Sequence, residues 1–286
     1  MRMEAVATTA PWTCPTCRTH LSTRYCPACG ESPPHTRDLT IRGFLREIVA
    51  GVTSIDGRLI RSFRCLLARP GELSVAFVEG RRKPYIAPFQ LFLIANVAFF
   101  AVESLTGGTV LAAPLHSHLH QQDWSAFASS LVTHRLQQRG VALAAYAPVF
   151  DRAVVLNAKT LVALMVLPFA LALPLVFYRS GRPFVGHVVF SLHLYAFVLL
   201  LFCVMMAVAR IDQSIGGGGL RSRQVDVVLT TLVLIASAVY LYRASGRFYG
   251  SARALRGVRA VGLAFAMVAI AVGYRFLVFL ITFYTT

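Results

Sequence analysis

Acidic residues are scarce in this chain. Among its 286 residues, 12 Asp and Glu stand against 28 Lys and Arg, which gives a formal net charge of +16. Only 14% of the residues are charged and 56% are hydrophobic, whereas soluble domains carry about 25% charged residues. This composition excludes an ordinary soluble domain and predicts an integral membrane protein. In such a protein, a basic excess favours anionic lipid over nucleic acid as a partner.

Motifs of the common catalytic sites are also missing. The sequence shows no Walker-type loop, no dinucleotide fingerprint, and no clear Ser/His/Asp or paired-carboxylate constellation. These absences favour a nonenzymatic protein and leave a membrane enzyme as the weaker hypothesis. Residues 1–11 lack the apolar run of about 7 to 15 residues that a signal peptide needs, so we expect a disordered leader in the cytosol.

Apolar runs of the length that crosses a bilayer, about 17 to 25 residues, recur along the rest of the chain. The expected transmembrane domain covers residues 89–286, with spans at 89–105, 160–177, 184–208, 225–242 and 258–281 and an outer loop at 106–159. The sequence thus predicts an all-α membrane protein of about five transmembrane helices. Pro168 and Pro174 should kink the second span, because each proline frees a carbonyl one turn back.

Most Lys and Arg residues fall before residue 89, at 178–183 and at 243–259, all on one side of the predicted spans. The positive-inside rule therefore predicts a cytosolic N-terminus and an outside C-terminus.

Residues 12–37 contain two C-x-x-C motifs, which predict a zinc ribbon. The expected metal ligands are Cys14, Cys17, Cys26 and Cys29. Four thiolates surround one Zn²⁺ tetrahedrally and leave no open position, so we expect a structural ion. A different metal is the alternative, because the spacer between the motifs is short. Gly30 permits a left-handed conformation after the last cysteine, and Arg18 at the matching place in the first motif is a small departure from this pattern.

Residues 38–88 form a basic amphipathic segment, with apolar residues at helical spacing and arginines off that stripe. We expect it to be helical and either to lie in the lipid interface among anionic headgroups or to pack on the protein's own helices. The basic residues predicted to face lipid or a protein partner are Arg42, Arg46, Arg58, Arg61, Arg64, Arg81, Arg82 and Lys83.

Polar side chains inside spans are costly, so each is a functional candidate. The candidates are Asn96, Glu103, His187, His193 and Arg275. A separation of six residues turns a helix by about 240°, so His187 and His193 should not share one metal. We expect them to hydrogen-bond neighbouring helices, and a proton or metal pathway is the alternative. Asn96 should hydrogen-bond another helix. Glu103 and Arg275 either form a pair, or Arg275 extends to the outer interface.

The predicted outer loop carries two local patterns. His116, His118 and His120 alternate, which suits a weak metal site if the segment is extended, or else a solvated loop. Asp123 is expected to cap a short helix that carries Trp124, Phe127, Leu131 and Arg135.

Several stretches together resemble a bacterial family of membrane proteins of unknown function that carry an N-terminal zinc ribbon. They are DGR at 56–58, LARPG at 67–71, GRRKPYIAP at 80–88, LPFA at 167–170, HVVFSLH at 187–193 and the segment 240–249. The resemblance implies a bacterial cytoplasmic membrane, a cytosolic ribbon and a helical membrane domain. It implies no activity.

These patterns favour a docking or scaffold protein whose ribbon and basic segment bind a cytosolic protein or anionic lipid at the membrane. The alternative is a transporter or lipid-handling permease that uses the kinked second span with His187, His193 and Arg275. We do not expect nucleic acid as a partner, because the ribbon lacks a dense basic and aromatic surface.

Overall fold

The computed structural model describes residues 11–33, 57–107, 110–219, 222–250 and 253–286. Arg42 and Arg46 lie outside these described residues, and so does the expected leader apart from its last residue. Within the described residues nearly every element is a helix, which confirms the all-α class.

Two short strands and two short helices come first. Strand β1 (Trp12–Thr13) pairs antiparallel with β2 (His20–Leu21) in the cysteine-containing segment. Helix α1 (Arg58–Ala68) and helix α2 (Glu72–Val78) follow, and both belong to the predicted basic amphipathic segment.

Longer helices make up most of the remaining chain. They are α3 (Pro88–Thr106), α4 (Leu115–His120), α5 (Ser125–Arg139), α6 (Leu143–Leu161), α7 (Val166–Val176), α8 (Phe184–Ser214), α9 (Arg223–Tyr249) and α10 (Arg253–Thr285).

Five stretches of helix are long and apolar enough to cross a membrane, as the sequence predicts. They are Pro88–Thr106, Leu143–Val176, Phe184–Ser214, Gln224–Tyr249 and Leu255–Thr285. The second begins at Leu143, well before the predicted start at residue 160. Asp151 and Arg152 interrupt the apolar run in the sequence, but Asp151 Oδ1 accepts a hydrogen bond from Leu115 N at 2.7 Å at the start of α4. The carboxylate therefore has a structural partner within the helical region.

The second stretch is not a regular α-helix. A 3₁₀ turn (Val162–Met165) separates α6 from α7, and Pro168 follows as the third residue of α7. Proline is tolerated there because the first N–H groups of a helix have no partner within it, while its ring disturbs the turn before. The distortion expected from the prolines thus lies one turn before Pro168.

The chain divides into two compact units. The first contains Met1–Val97, Ala170–Leu201 and Leu232–Ala264, and the second contains Ala98–Phe169, Phe202–Thr231 and Phe265–Thr286. In the first unit, the N-cap of α2 lies directly against the backbone of α9. A Cβ atom built on Gly71 would be 2.7 Å from Ala244 O. No side chain fits at this crossing.

The second unit has an aromatic centre around His118, which is buried. Its ring lies 4.9 Å from that of Phe279 and 6.0 Å from that of Phe150, between centroids. Trp124 Nε1 donates a hydrogen bond to His118 Nδ1 at 3.3 Å. Burial lowers the pKa of His118 to about 4, so the ring is neutral at physiological pH. The capping expected of Asp123 is wrong, because Trp124 occupies the N-cap of α5 and no side chain bonds there.

Large apolar side chains cover much of the helical surface. Leu105 is 83% exposed, Leu175 79% and Phe265 62%. In each of the last two spanning stretches, only 28% of the most apolar part of the helix is buried within the protein. Such continuous apolar faces are stable only in contact with lipid, which is consistent with a multi-pass membrane protein.

The approach of α2 to α9 makes one glycine indispensable. Gly71→Ala should lower the free energy of unfolding by about 2 to 4 kcal/mol, because a positive φ strains alanine and the new methyl meets backbone. Gly181→Ala is the matched control, since Gly181 has a φ of +61 but nothing within 4 Å of the added Cβ. Thermal unfolding in detergent measures both variants. Equal losses in the two would contradict the close approach.

Candidate metal centre

The four cysteines of the two C-x-x-C motifs converge on one point. The Sγ atoms of Cys14 and Cys29 are 3.5 Å apart, and those of Cys17 and Cys26 are 3.4 Å apart. Those of Cys17 and Cys29 are 3.9 Å apart, and all four lie within 4.8 Å of one another. An ion with metal–sulfur distances of about 2.3 Å in a tetrahedron requires sulfurs about 3.8 Å apart. The cluster therefore has the size of a four-thiolate metal site.

Two equivalent backbone turns hold the cysteines. In the first motif, Cys14 N donates to Thr19 O at 2.9 Å and Arg18 N donates to Cys14 O at 2.8 Å. In the second, Gly30 N donates to Cys26 O at 2.7 Å, and Cys26 N donates to the carbonyl of the residue after Gly30 at 2.7 Å. Each turn fixes the first cysteine of its pair.

Both turns end in a left-handed residue. Gly30 has a φ of +72°, and Arg18 at the matching position has a φ of +62°. Arg18 is the single non-glycine residue with positive φ in the described part of the chain. Because an L-residue in this region costs about 1 to 2 kcal/mol, the turn geometry is imposed by the motif rather than by local preference. The two positions thus share one conformation, although Arg18 departs from the glycine that this conformation favours.

The cysteine environments differ in their acidity. Hydrogen bonds from the side chain and backbone of Thr19 lower the pKa of Cys17 to about 6. Burial raises the pKa of Cys29 to about 12. The thiolate is thus favoured at Cys17, whereas a cation has to displace the proton of Cys29.

Glu31 joins the cysteine cluster to the membrane-proximal helices. It is only 3% exposed, and its Oε2 atom accepts three hydrogen bonds. Thr16 Oγ1 donates at 2.9 Å, and the backbone N–H groups of Arg82 and Lys83 donate at 3.1 Å each. A carboxylate that accepts several bonds forms a strong link, worth about 1.5 to 3 kcal/mol per bond to a charged group. The cluster is therefore attached to the turn before α3.

We call residues 80–85, to which Glu31 binds, the basic turn. Arg81 Nη2 lies 3.1 Å from Glu72 Oε1 and 2.8 Å from Glu79 Oε2. These bonds raise the pKa of Arg81 although burial opposes them. The Arg82 guanidinium lies 4.6 Å from the centroid of the Phe77 ring, and Lys83 is exposed. The contacts of Arg81 and Arg82 thus fix the turn, and the ammonium group of Lys83 is open to solvent.

Helix α1 presents more basic residues. Arg61 and Arg64 are exposed, and Arg58 is half-buried. Ser62, Cys65 and Leu66 form the buried face, while Ile60 is 75% exposed beside the arginines. The helix is packed on the protein through one face and leaves a basic, partly apolar face open. The packed arrangement expected for this segment thus occurs in α1, and contact of its open face with anionic lipid stays a prediction.

The two histidines of α8 have separate partners. His187 Nδ1 lies 2.7 Å from Tyr249 Oη of α9, and His193 Nδ1 lies 2.8 Å from Ser74 Oγ of α2. Both histidines are 3% exposed. Each ring thus lies within hydrogen-bond distance of a hydroxyl group on a different neighbouring helix.

The remaining polar candidates stay apart. Glu103 Oε1 accepts hydrogen bonds from Val110 N at 2.8 Å and Leu111 N at 3.3 Å. These bonds replace the pairing with Arg275, whose Nε atom is buried without a hydrogen-bond partner among the described residues. Asn96 is buried. Within the described residues, its side chain does not form the interhelical hydrogen bond that the sequence predicts.

Sequence reasoning missed Glu31, Ser74 and Tyr249. Glu31 carries a weak signal, since a carboxylate directly after the last cysteine is available to fix the cluster. Ser74 and Tyr249 carry none, because their histidine partners are distant in sequence and the pairing depends on how the helices pack.

Comparison with known proteins gives one match. The model of a family described as a protein of unknown function (DUF3667) matches residues 56–100. No curated protein and no solved structure matches the chain. The matched residues comprise α1, α2, the basic turn and the first part of α3. This is the segment that receives the carboxylate of Glu31.

The Glu31 contact predicts a measurable coupling. Glu31→Gln should speed backbone amide exchange at Arg82 and Lys83 by about tenfold or more, because an amide oxygen accepts these bonds more weakly than a carboxylate. Hydrogen–deuterium exchange of the detergent-solubilised protein measures this rate. Glu79→Gln is the control, since the Glu79 side chain bonds the Arg81 guanidinium rather than the Arg82 and Lys83 amides, and both amides should stay protected. Unchanged exchange in Glu31→Gln would refute the link.

Proposed function

We propose that this chain is a nonenzymatic docking protein of the bacterial cytoplasmic membrane, with a structural Zn²⁺ in a cytosolic ribbon. The observation that carries the proposal is the bonding of Glu31 to the basic turn. It attaches a small metal-dependent module to the end of the first spanning helix, beside the open basic face of α1.

The donor set supports zinc. Four thiolates at tetrahedral spacing suit Zn²⁺ and also an iron centre. With either ion the four protein ligands complete the coordination shell, so no position is left open for catalysis. A segment of this size buries too little surface to fold alone, so metal binding and folding are one event. Metal loading then determines whether Glu31 is held in place.

The exposed side chains support docking. Arg61, Arg64 and Lys83 are open cations near a membrane-spanning helix, and Ile60 supplies an apolar contact beside them. A surface of this kind attracts acidic protein segments and anionic headgroups alike. We propose an acidic cytosolic protein as the docked partner, with anionic lipid around it. The excess of Lys and Arg on the N-terminal side supports a cytosolic ribbon and an outside C-terminus.

The polar groups of the spans favour a docking protein over a transporter. His187 and His193 each bond a neighbouring helix and point to different partners, which is typical of packing contacts. The 3₁₀ turn before Pro168 is the feature that a permease would use, and the other stretches show no counterpart in the described residues.

Metal content tests the first part of the proposal. Purified protein should contain one zinc per chain, and Cys14→Ser or Cys26→Ser should reduce this at least tenfold, because three thiolates do not close the tetrahedron. Cys65→Ser and Cys203→Ser are matched controls, since both cysteines lie outside the cluster. Atomic emission spectrometry gives the count. Iron in place of zinc, or zinc that survives both cluster variants, would contradict it.

Site-specific cross-linking tests the second part. A photoreactive amino acid at Ile60 should yield an adduct with another protein in intact cells, and Arg61→Glu with Arg64→Glu should lower its yield about tenfold, because the reversed charges repel an acidic surface. Arg210→Glu, at an exposed arginine of α8, is the control. An adduct with phospholipid only would overturn protein docking. So would a protein adduct whose yield is unchanged when Arg61→Glu and Arg64→Glu are combined.

A further inference from the structure

Two histidines of α4 lie side by side on its exposed surface. His116 and His120 are the second and last residues of Leu115–His120, four positions apart. Their ring centroids are 4.7 Å apart, with an angle of 53° between the ring planes. Both residues are exposed, whereas His118 between them is buried. The helix thus sorts the three alternating histidines into a surface pair and a core residue.

The helix that carries the pair is well anchored despite its short length. The carboxylate of Asp151 bonds the first N–H group of α4, and Leu115 and Leu119 are buried. On the inner face, His118 accepts the hydrogen bond of Trp124 and contacts Phe279. The surface pair is therefore held on a rigid support before any ligand binds, which lowers the ordering cost of binding.

The separation of the rings suits chelation of a single ion. A metal held by two imidazole nitrogens at about 2.0 to 2.1 Å, with coordination angles of 90 to 109°, places the ring centroids roughly 4.6 to 5.3 Å apart. The observed 4.7 Å lies within this range. Paired histidines at positions i and i+4 of one helix face are also the arrangement that binds zinc in helical metalloprotease motifs.

We propose that His116 and His120 form a second metal site, which binds a divalent transition ion of the Zn²⁺, Ni²⁺ or Cu²⁺ class. Imidazole favours these ions over Mg²⁺ and Ca²⁺, which take oxygen ligands. With two protein ligands, the bound ion keeps positions for water or for a further ligand. The site is therefore exchangeable, in contrast to the closed four-thiolate centre.

The surroundings of the pair favour a ligand at those positions. His120 also lines an open groove of about 640 Å³, together with Val132, Leu136 and Val141. A metal ion on His120 is therefore adjacent to an apolar surface that can contact the body of a coordinating molecule. Sites of this composition combine one strong polar anchor with apolar contacts.

Nickel titration of the whole protein tests the site. The probe is Ni²⁺ alone, added in a calorimeter to detergent-solubilised full-length chain whose cysteine cluster is already loaded with Zn²⁺. We expect one Ni²⁺ per chain without thiolate-to-nickel absorption, and at least a tenfold loss of affinity in both His116→Ala and His120→Ala. Both side chains are exposed, so the variants should unfold at the wild-type temperature.

His134→Ala is the matched control, since His134 is an exposed histidine of α5 outside the pair. It should bind Ni²⁺ like the wild type. Retained affinity in either pair variant, or an equal loss in His134→Ala, would overturn the proposal. Nickel bound with thiolate absorption would also overturn it, because the ion would then occupy the cysteine cluster.

Discussion

The structure depends on the contact between apolar helix surface and lipid. Side chains such as Leu105, Leu175 and Phe265 extend from the long helices without protein neighbours to cover them. In water this surface would cost about 25 cal/mol for each Å², and the helices would associate or collapse. In hydrocarbon it costs nothing, and the helical backbone satisfies its own N–H and C=O groups. The bilayer therefore decides both the secondary structure and which faces stay open.

Features at the ends of the spanning helices follow from this constraint. The basic turn comes immediately before α3, and α1 and α2 precede it in the chain, so we expect their cations at the level where α3 leaves the hydrocarbon. The Glu31 carboxylate uses backbone N–H groups of that turn. Arg82 N also donates to Gly80 O at 3.1 Å within the turn, and the carboxylate from the cysteine-containing segment is an acceptor for both N–H groups. A small module is thereby held next to the membrane with one buried carboxylate.

Much of the architecture could be predicted from hydropathy and from the cysteine spacing. The five apolar stretches, the convergence of Cys14, Cys17, Cys26 and Cys29, and the left-handed Gly30 all follow from local sequence rules. The early start of the second stretch did not, because Asp151 and Arg152 interrupt the apolar run and the partner of Asp151 is distant in sequence. The hydrogen bonds of Glu103 to Val110 N and Leu111 N could not be predicted either, because they depend on how the chain turns after α3. From sequence alone, a charged residue within an apolar helix is a functional candidate. Its tertiary contacts decide whether its role is structural.

The helical conformation also decides which of the three histidines lie on the same face. As an extended strand, His116, His118 and His120 share one face, but a helix turns about 100° per residue and separates the middle one. His118 then packs against aromatic rings, and the outer two come together. Local sequence could not choose between these arrangements, because a six-residue segment is too short for a periodic signal.

Alkaline carbonate extraction of membranes from cells that produce the chain tests the central claim most directly. Carbonate strips proteins bound by charge or by partners, and it leaves those whose apolar surface lies in hydrocarbon. The account predicts that the whole chain stays in the membrane pellet and enters solution only with detergent. Release of the chain into the carbonate supernatant as a monodisperse species would contradict it.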